Sequence, residues 1–292
     1  MLVFVRTLRC YQWSKNLLVF GALIFAQQLH IPGQVLRSIL VFFAFCMLSS
    51  AMYIFNDLID IENDRIHPEK KTRPLASGEI SQRVAGAIMI LCLFLGLGCA
   101  WWLGVKVLLI TLLYVGLIGA YTLFLKNAIV VDVIVVSIGF VIRAVAGAMA
   151  LEVVFSNWLV VCTMFFALFL SISKRRHEIS ILEHRALDHR EVLGHYSAAY
   201  LDAINQLVAG ATLITYTIYT CSPEVVDRVK TDKLYLTLPF IVYGLFRYLY
   251  LVHNDLDGGD PSRTLLRDRP LSVTVLLWGI ACVAILYARS LL

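Results

Sequence analysis

Asn56-Asp57-Leu58-Ile59-Asp60-Ile61-Glu62-Asn63-Asp64 closes an apolar run, residues 39–55, in a chain of 292 residues that is 60% hydrophobic. Carboxylates are expensive near a bilayer, so a cluster of them at the end of an apolar helix marks a functional site by default. On one continuous α-helix, Asn56, Asp60, Asp64 and Asp57 fall at about 0°, 40°, 80° and 100°. One narrow face then carries four oxygen-bearing side chains. Such a set suits a hard cation, Mg²⁺ with Mn²⁺ as the alternative, shared with a phosphate ligand. A solvated helix end is the plainer reading; the spacing and the basic tail that follows favour a site. Asn56, Asp57, Asp60 and Asp64 are the candidate metal set, and Tyr53, one turn earlier, is close enough to reach it.

Working outward, the composition places the chain among polytopic membrane proteins: 15% of residues are charged and the mean hydropathy is +0.79. Apolar runs predict helices near 17–31, 36–55, 84–103, 107–125, 128–150, 157–173, 201–221, 234–252 and 271–290. That is an all-α protein of about nine spans, the first one short, forming a single transmembrane domain over 1–292. No removable signal peptide is expected, because Tyr11-Gln12-Trp13-Ser14-Lys15-Asn16 interrupts the N-terminal stretch. The net charge of +5 is modest, but its placement is informative. Most Lys and Arg residues lie before the first span and after the second, fourth, sixth and eighth. The positive-inside rule then puts the N-terminus and the long polar loops in the cytoplasm of a multi-pass protein of the cell's inner (plasma) membrane. The seven cysteines are scattered and contain no CxxC, so they read as small buried hydrophobes. His177, His184, His189 and His195 share one loop without ligand spacing, and read as ordinary loop histidines.

Two cytoplasmic loops carry the chemistry, about 56–83 and 174–200. In the first, Pro68 stops the helix, and the chain can bring Lys70 and Arg73 back over the carboxylates. Acid followed by base is what a metal–diphosphate site requires: carboxylates hold the metal and cations neutralise the remaining oxygens. Lys71 reads equally well as simple positive-inside charge. The second loop opens with Lys174-Arg175-Arg176-His177-Glu178, basic where the first is acidic, and suggests a second anion pocket. Lys15 and Asn16 at the mouth of the first span, and Tyr121, Lys126 and Asn127 after the fourth, lie at the same membrane face. Asp132 and Arg143 share one face of the fifth span within about 20°. An arginine at that depth faces the bundle interior or a water-filled cavity, and a structural partnership is the alternative for both.

These residues together resemble the UbiA superfamily of intramembrane prenyltransferases. The resemblance rests on Asn56-Asp57…Asp60…Asp64-Arg65, then His67-Pro68 and Arg73-Pro74-Leu75-Ala76-Ser77-Gly78. It implies an all-α fold, usually nine helices around a central cavity open to lipid, with the first motif binding Mg²⁺ and diphosphate. Typical members carry a second aspartate motif after the sixth helix; this chain has Lys174-Arg175-Arg176-His177-Glu178 there.

That departure points to a narrower branch, which moves 5-phosphoribose from 5-phosphoribosyl 1-diphosphate (PRPP) to a long-chain, decaprenyl-phosphate-like polyprenyl phosphate and releases diphosphate. The likeness extends to Gln12–Asn16, Ile142-Arg143-Ala144-Val145-Ala146-Gly147-Ala148, and the late loop Leu256-Asp257-Gly258-Gly259-Asp260-Pro261 with Arg267-Asp268. It implies catalytic roles for Asp57, Asp60 and Lys174. Lys15, Tyr53, Lys70, Arg73 and Lys126 are expected around the donor, and Lys174, Arg175 and Arg143 toward the acceptor phosphate, with the division between the two phosphates left open; Asn16, Tyr121 and Glu178 complete the expected substrate-binding set. The expected partners are PRPP, the lipid phosphate and the membrane, without nucleic acid; homo-oligomerisation is left open. One rival is an aromatic prenyltransferase of the same fold using a polyprenyl diphosphate, against which the missing second aspartate motif argues. The other is a transporter, which would show inverted repeats and discontinuous helices in matching halves; neither is found.

Overall fold

A computed structural model of the chain describes residues 2–66, 70–154, 156–182, 196–254 and 261–288. Helix α1 (Leu2–Thr7) leads into an eleven-residue 3-10 helix, Cys10–Phe20, and the short α2 (Gly21–Phe25). Then come α3 (Pro32–Ile59), α4 (Ile61–Ile66), a 3-10 turn Lys70–Thr72, α5 (Gln82–Leu103) and α6 (Val105–Leu123). A 3-10 turn Leu125–Asn127 precedes α7 (Val131–Leu151), followed by α8 (Asn157–Leu182), α9 (Ala198–Cys221) and α10 (Pro223–Val229). The chain ends with a 3-10 turn Lys233–Thr237, α11 (Leu238–His253), α12 (Pro261–Arg267) and α13 (Arg269–Tyr287). No strand occurs among the described residues.

The helix boundaries follow local chemistry. Pro32 opens α3, where its missing N–H costs nothing. Ser81 caps α5 by accepting from the Val84 amide, and Asp268 caps α13 by accepting from Leu271. Between α5 and α6 stands one residue, Gly104, at φ 123°, a backbone angle that a side chain would strain.

Among the described residues seven helices are long and apolar enough to cross a membrane. They are α3, α5, α6, α7, the first part of α8 (Asn157–Ile179), Lys233–His253 and α13. Two of the nine expected spans are not among these seven. Residues 17–31 do not form one span; they divide between the end of the 3-10 helix, α2, and a turn with Gln27 at φ 56°. The stretch 201–221 is one helix within α9, but Asp202, Asn205 and its threonines make it too polar to count by composition. Those polar groups are spent inside the protein: Asn205 donates to Ser173 on α8 at 3.0 Å, and Tyr216 is 2.7 Å from the Thr237 hydroxyl. Such interhelical bonds replace water that hydrocarbon cannot supply.

Helices α3 and α7 sit at the centre; the other spans turn more of their surface outward. Small residues permit this. Along α7, Gly139, Ala144, Ala146, Gly147, Ala148 and Ala150 are buried, which lets neighbouring backbones approach. The main core joins Phe45, Leu48 and Met52 of α3 to Tyr114 of α6 and Ile142 of α7. The two central helices thus carry the carboxylate motif and the Asp132–Arg143 pair.

Candidate active site at the ends of α3, α6 and α8

The Asn56–Asp64 stretch is not one unbroken helix. Helix α3 stops at Ile59, Asp60 serves as its C-cap, and α4 begins at Ile61. The hydrogen-bond ladder nonetheless continues, from the Asp60 amide to the Asn56 carbonyl at 2.9 Å and from Asp64 to Asp60 at 2.8 Å. The shared face therefore survives the break. Asp57 and Asp64 are buried, whereas Asn56 and Asp60 are half-buried.

The acids do not converge on one another. They pair with cations drawn from three other parts of the chain. Arg73 Nη1 lies 3.0 Å from Asp57 and 2.5 Å from Asp64, so one guanidinium nitrogen bridges the two carboxylates. Arg9 also pairs with Asp57, and its guanidinium lies 5.0 Å from the centre of the Tyr53 ring. Lys126, on the turn after α6, reaches Asp60 at 2.5 Å. Among the described residues no three His, Cys, Asp or Glu side chains form a ready metal cage. Without a bound cation, like charges repel, and the acids are held by neighbouring cations. The donor set still fits a hard divalent cation, being all oxygen, with two carboxylates already sharing one positive centre.

Burial pushes the Asp64 carboxyl above the usual range, against the downward pull of Arg73 and Lys70. Lys70 is therefore close enough to act on the acidic face. Burial alone would lower Arg9, but the Asp57 charge and hydrogen bond, together with Tyr11 and Tyr53, hold the guanidinium above its ordinary value. Arg9 was not expected in the site. It sits at φ 50°, a left-handed conformation that is costly for a non-glycine residue. Its sequence signal was slight: one more cation just upstream of the Gln12–Asn16 stretch.

A second charged cluster lies at the end of α8. The segment 174–182, expected as loop, continues α8 as helix, steadied by Lys174 and Arg175 against Glu178 a turn later. Arg175 is buried between two acids, bonding Asp132 of α7 at 2.7 Å and also Glu178, and it donates to the Tyr121 hydroxyl at 3.2 Å. Lys174 is the exposed cation here, 3.9 Å from Glu178. The Tyr196 hydroxyl donates to Asp132 at 3.0 Å and accepts from the Val130 amide at 2.5 Å. Burial pushes Tyr196 up to about 12, so it stays a donor. Val130 itself sits at φ 68°, strained for a β-branched residue. Helix α6 and the turn after it join the two clusters, since Tyr121 touches Arg175 and Lys126 touches Asp60.

Asn16 and Arg143 are placed elsewhere. Both are buried in the bundle, and Arg143 Nε donates to the Asn16 side-chain oxygen at 2.7 Å. Arg143 also donates to the Gly139 carbonyl at 2.7 Å and to the Tyr114 hydroxyl at 2.8 Å. All three Arg143 nitrogens are thus engaged within the bundle, and Asn16 is one of their partners. Asp132 and Arg143 share a helix face without sharing a partner. Lys15 is half-buried on the 3-10 helix. His67, Pro68, the histidines at 184, 189 and 195, and Leu256–Asp260 lie outside the described residues.

The family model described as the UbiA prenyltransferase family matches residues 17–264. Curated relatives include a decaprenyl-phosphate phosphoribosyltransferase of Mycolicibacterium smegmatis, 31% identical over 285 residues, covering 94% of this chain and 89% of that one. A protein of the same name from Corynebacterium glutamicum is 31% identical, covering 97% of this chain and 86% of its own length. Among solved structures, a UbiA homologue from Archaeoglobus fulgidus bound to GPP and Mg²⁺ has a TM-score of 0.73 at 21% identity, covering 97% and 99% of the two chains. Apolar helices, a carboxylate motif at their basic end and the match over most of its length agree: this chain is an integral membrane enzyme and belongs to the UbiA prenyltransferase family.

Proposed function

We propose that this enzyme transfers 5-phosphoribose from PRPP to a long-chain polyprenyl phosphate, with a divalent cation, Mg²⁺ or Mn²⁺, at Asn56, Asp57, Asp60 and Asp64. One observation carries the reading: relatives named for this transfer match nearly the whole chain. The charge distribution supports it. Where a second pair of carboxylates would serve a second metal, α8 carries Lys174, Arg175 and Arg176.

The chemistry asks little of the protein in proton transfer. The ribose C1–O bond to diphosphate breaks, an oxygen of the lipid phosphate bonds C1, and diphosphate leaves. A phosphate monoester is already largely ionised near neutral pH, so no general base is required. A divalent cation held by the motif supplies neutralisation of the leaving diphosphate. Lys70, Arg73, Arg9 and Lys126 lie around the same acids and neutralise the remaining oxygens, with Tyr53 beside Arg9 and Lys15 as a further donor contact. Arg175, fixed by Asp132 and Glu178, leaves Lys174 to meet the acceptor phosphate. The apolar spans accommodate the isoprenoid tail, and the basic ends place the site on the cytoplasmic side.

The test is purified protein with labelled PRPP, polyprenyl phosphate and Mg²⁺. The expected result is a labelled lipid product that excess chelator abolishes. A second reading, prenyl transfer from a prenyl diphosphate, draws on the GPP-bound solved homologue. Turnover of geranyl diphosphate with an aromatic acceptor, and no binding of PRPP, would establish it instead.

A further inference from the structure

The 3-10 helix Cys10–Phe20 runs for eleven residues, although such helices seldom exceed three or four because their hydrogen bonds are poorly aligned. Its neighbours hold it. Arg143 of α7 donates to Asn16 at 2.7 Å, and Asn16 in turn donates to Ser49 of α3 at 3.3 Å. One turn beyond Arg143, Gly147 lies so close to the 3-10 helix that an added Cβ would stand 2.2 Å from the Val19 carbonyl oxygen. Nearer the site, Ser50 of α3 accepts from the Trp13 indole at 3.1 Å and donates to the Leu8 carbonyl at 2.7 Å. Those last contacts bracket Arg9, the left-handed residue whose side chain pairs with Asp57. A strained residue of this kind persists only where its surroundings over-determine it.

We infer that Asn16, Arg143 and Gly147 are positioning residues. They fix the 3-10 helix against α3 and α7 so that Arg9, just before its first residue, is carried onto Asp57 and presented to the donor's diphosphate. The inference rests on the diphosphate reading of the site, but not on which group the diphosphate carries.

The experiment is a double-mutant cycle on binding of inorganic diphosphate with Mg²⁺, measured by calorimetry on the full chain in detergent. Both donor readings release this product. Loss of PRPP binding alone therefore rejects the phosphoribosyl reading and leaves the cycle intact. Arg9→Ala is expected to weaken binding about tenfold or more, the effect of one charge-assisted contact. Asn16→Ala, which leaves Arg143 its bonds to Gly139 and Tyr114, is expected to weaken it comparably. The double variant is expected to bind within about twofold of Arg9→Ala, because both changes remove the same contact. Gly147→Ala should show the same lack of additivity by displacing Val19. Should Asn16→Ala fail to yield folded protein, Arg143→Lys, which keeps a buried cation, takes its place in the cycle. Additive losses, wild-type affinity in folded Asn16→Ala, or no diphosphate binding by the wild type overturns the inference.

Discussion

Among the acids proposed to hold the cation, Asp60 stands at the break between α3 and α4, with Lys126 at 2.5 Å. Asp60→Asn keeps the shape and removes the charge. We predict a loss of turnover of about a hundredfold or more, since metal-assisted neutralisation of a leaving group is worth several kcal/mol. The thermal midpoint in detergent should hold, and near-normal turnover would reject the metal role. Lys174 is exposed, with its ammonium 3.9 Å from Glu178. Its exposure lets a phosphate approaching from solvent reach it, whereas Arg175 is buried. Lys174→Ala should reduce phosphoribosyl transfer about 10- to 150-fold, the loss of a charge-assisted contact of roughly 1.5–3 kcal/mol. Steady-state kinetics with varied lipid phosphate would show it; unchanged kinetics would remove Lys174 from the site.

At the scale of elements, the end of α8 is tied to α7 by a buried ion pair, Asp132 with Arg175 at 2.7 Å, extended by Glu178 and Tyr196. Removing one member of a buried pair leaves an uncompensated charge, at a cost of about 3–5 kcal/mol. Asp132→Ala should therefore lower the thermal midpoint sharply, while the same change at exposed Glu62 should not. Equal small effects would show the pair to be unimportant. On the other side, α11 is linked to α13 through Arg247 and Asp268 at 2.7 Å. The hydrogen bonds from Arg247 hold the Asp268 carboxyl below the usual carboxylate range. A carboxyl lowered in the folded state contributes stability that is complete above its ordinary value near 4 and is lost as pH falls below it through the depressed value. Arg247→Ala should thus be less stable near neutrality and lose less on acidification. Thermal midpoints measured from pH 6 to pH 3 check this; parallel curves for variant and wild type would refute it.

For the molecule as a whole, the arrangement to test is sidedness. The acidic motif, Lys126 and Lys174 fall at the helix ends that share the basic residues, and Arg228 lies on α10 at the far end of α9. Single cysteines placed at Lys71 and at Arg228, in a background lacking the native thiols, should label from opposite faces of sealed vesicles. Labelling of both from one face would overturn the orientation drawn from charge bias.

Sequence alone determined the all-helical membrane class, through long apolar runs, and the family, through the Asn56–Asp64 motif with its basic tail. It also placed Lys126, Arg73 and Arg175 among the important cations, because charge at a membrane helix end has few structural reasons to exist. The partner of each charge was decided only by the tertiary structure. Helical spacing put Asp132 and Arg143 on one face of α7, yet they engage different helices, since contacts across a bundle depend on which neighbour lies alongside. Arg9 escaped notice for the same reason: its acid, Asp57, is remote in sequence and near only after α3 and the 3-10 helix have packed. The first expected span was read less well, because periodicity carries no information about helix type. A 3-10 helix and an α-helix can share an apolar composition, and here Arg143, Ser50 and Gly147 decided between them by the contacts they offer.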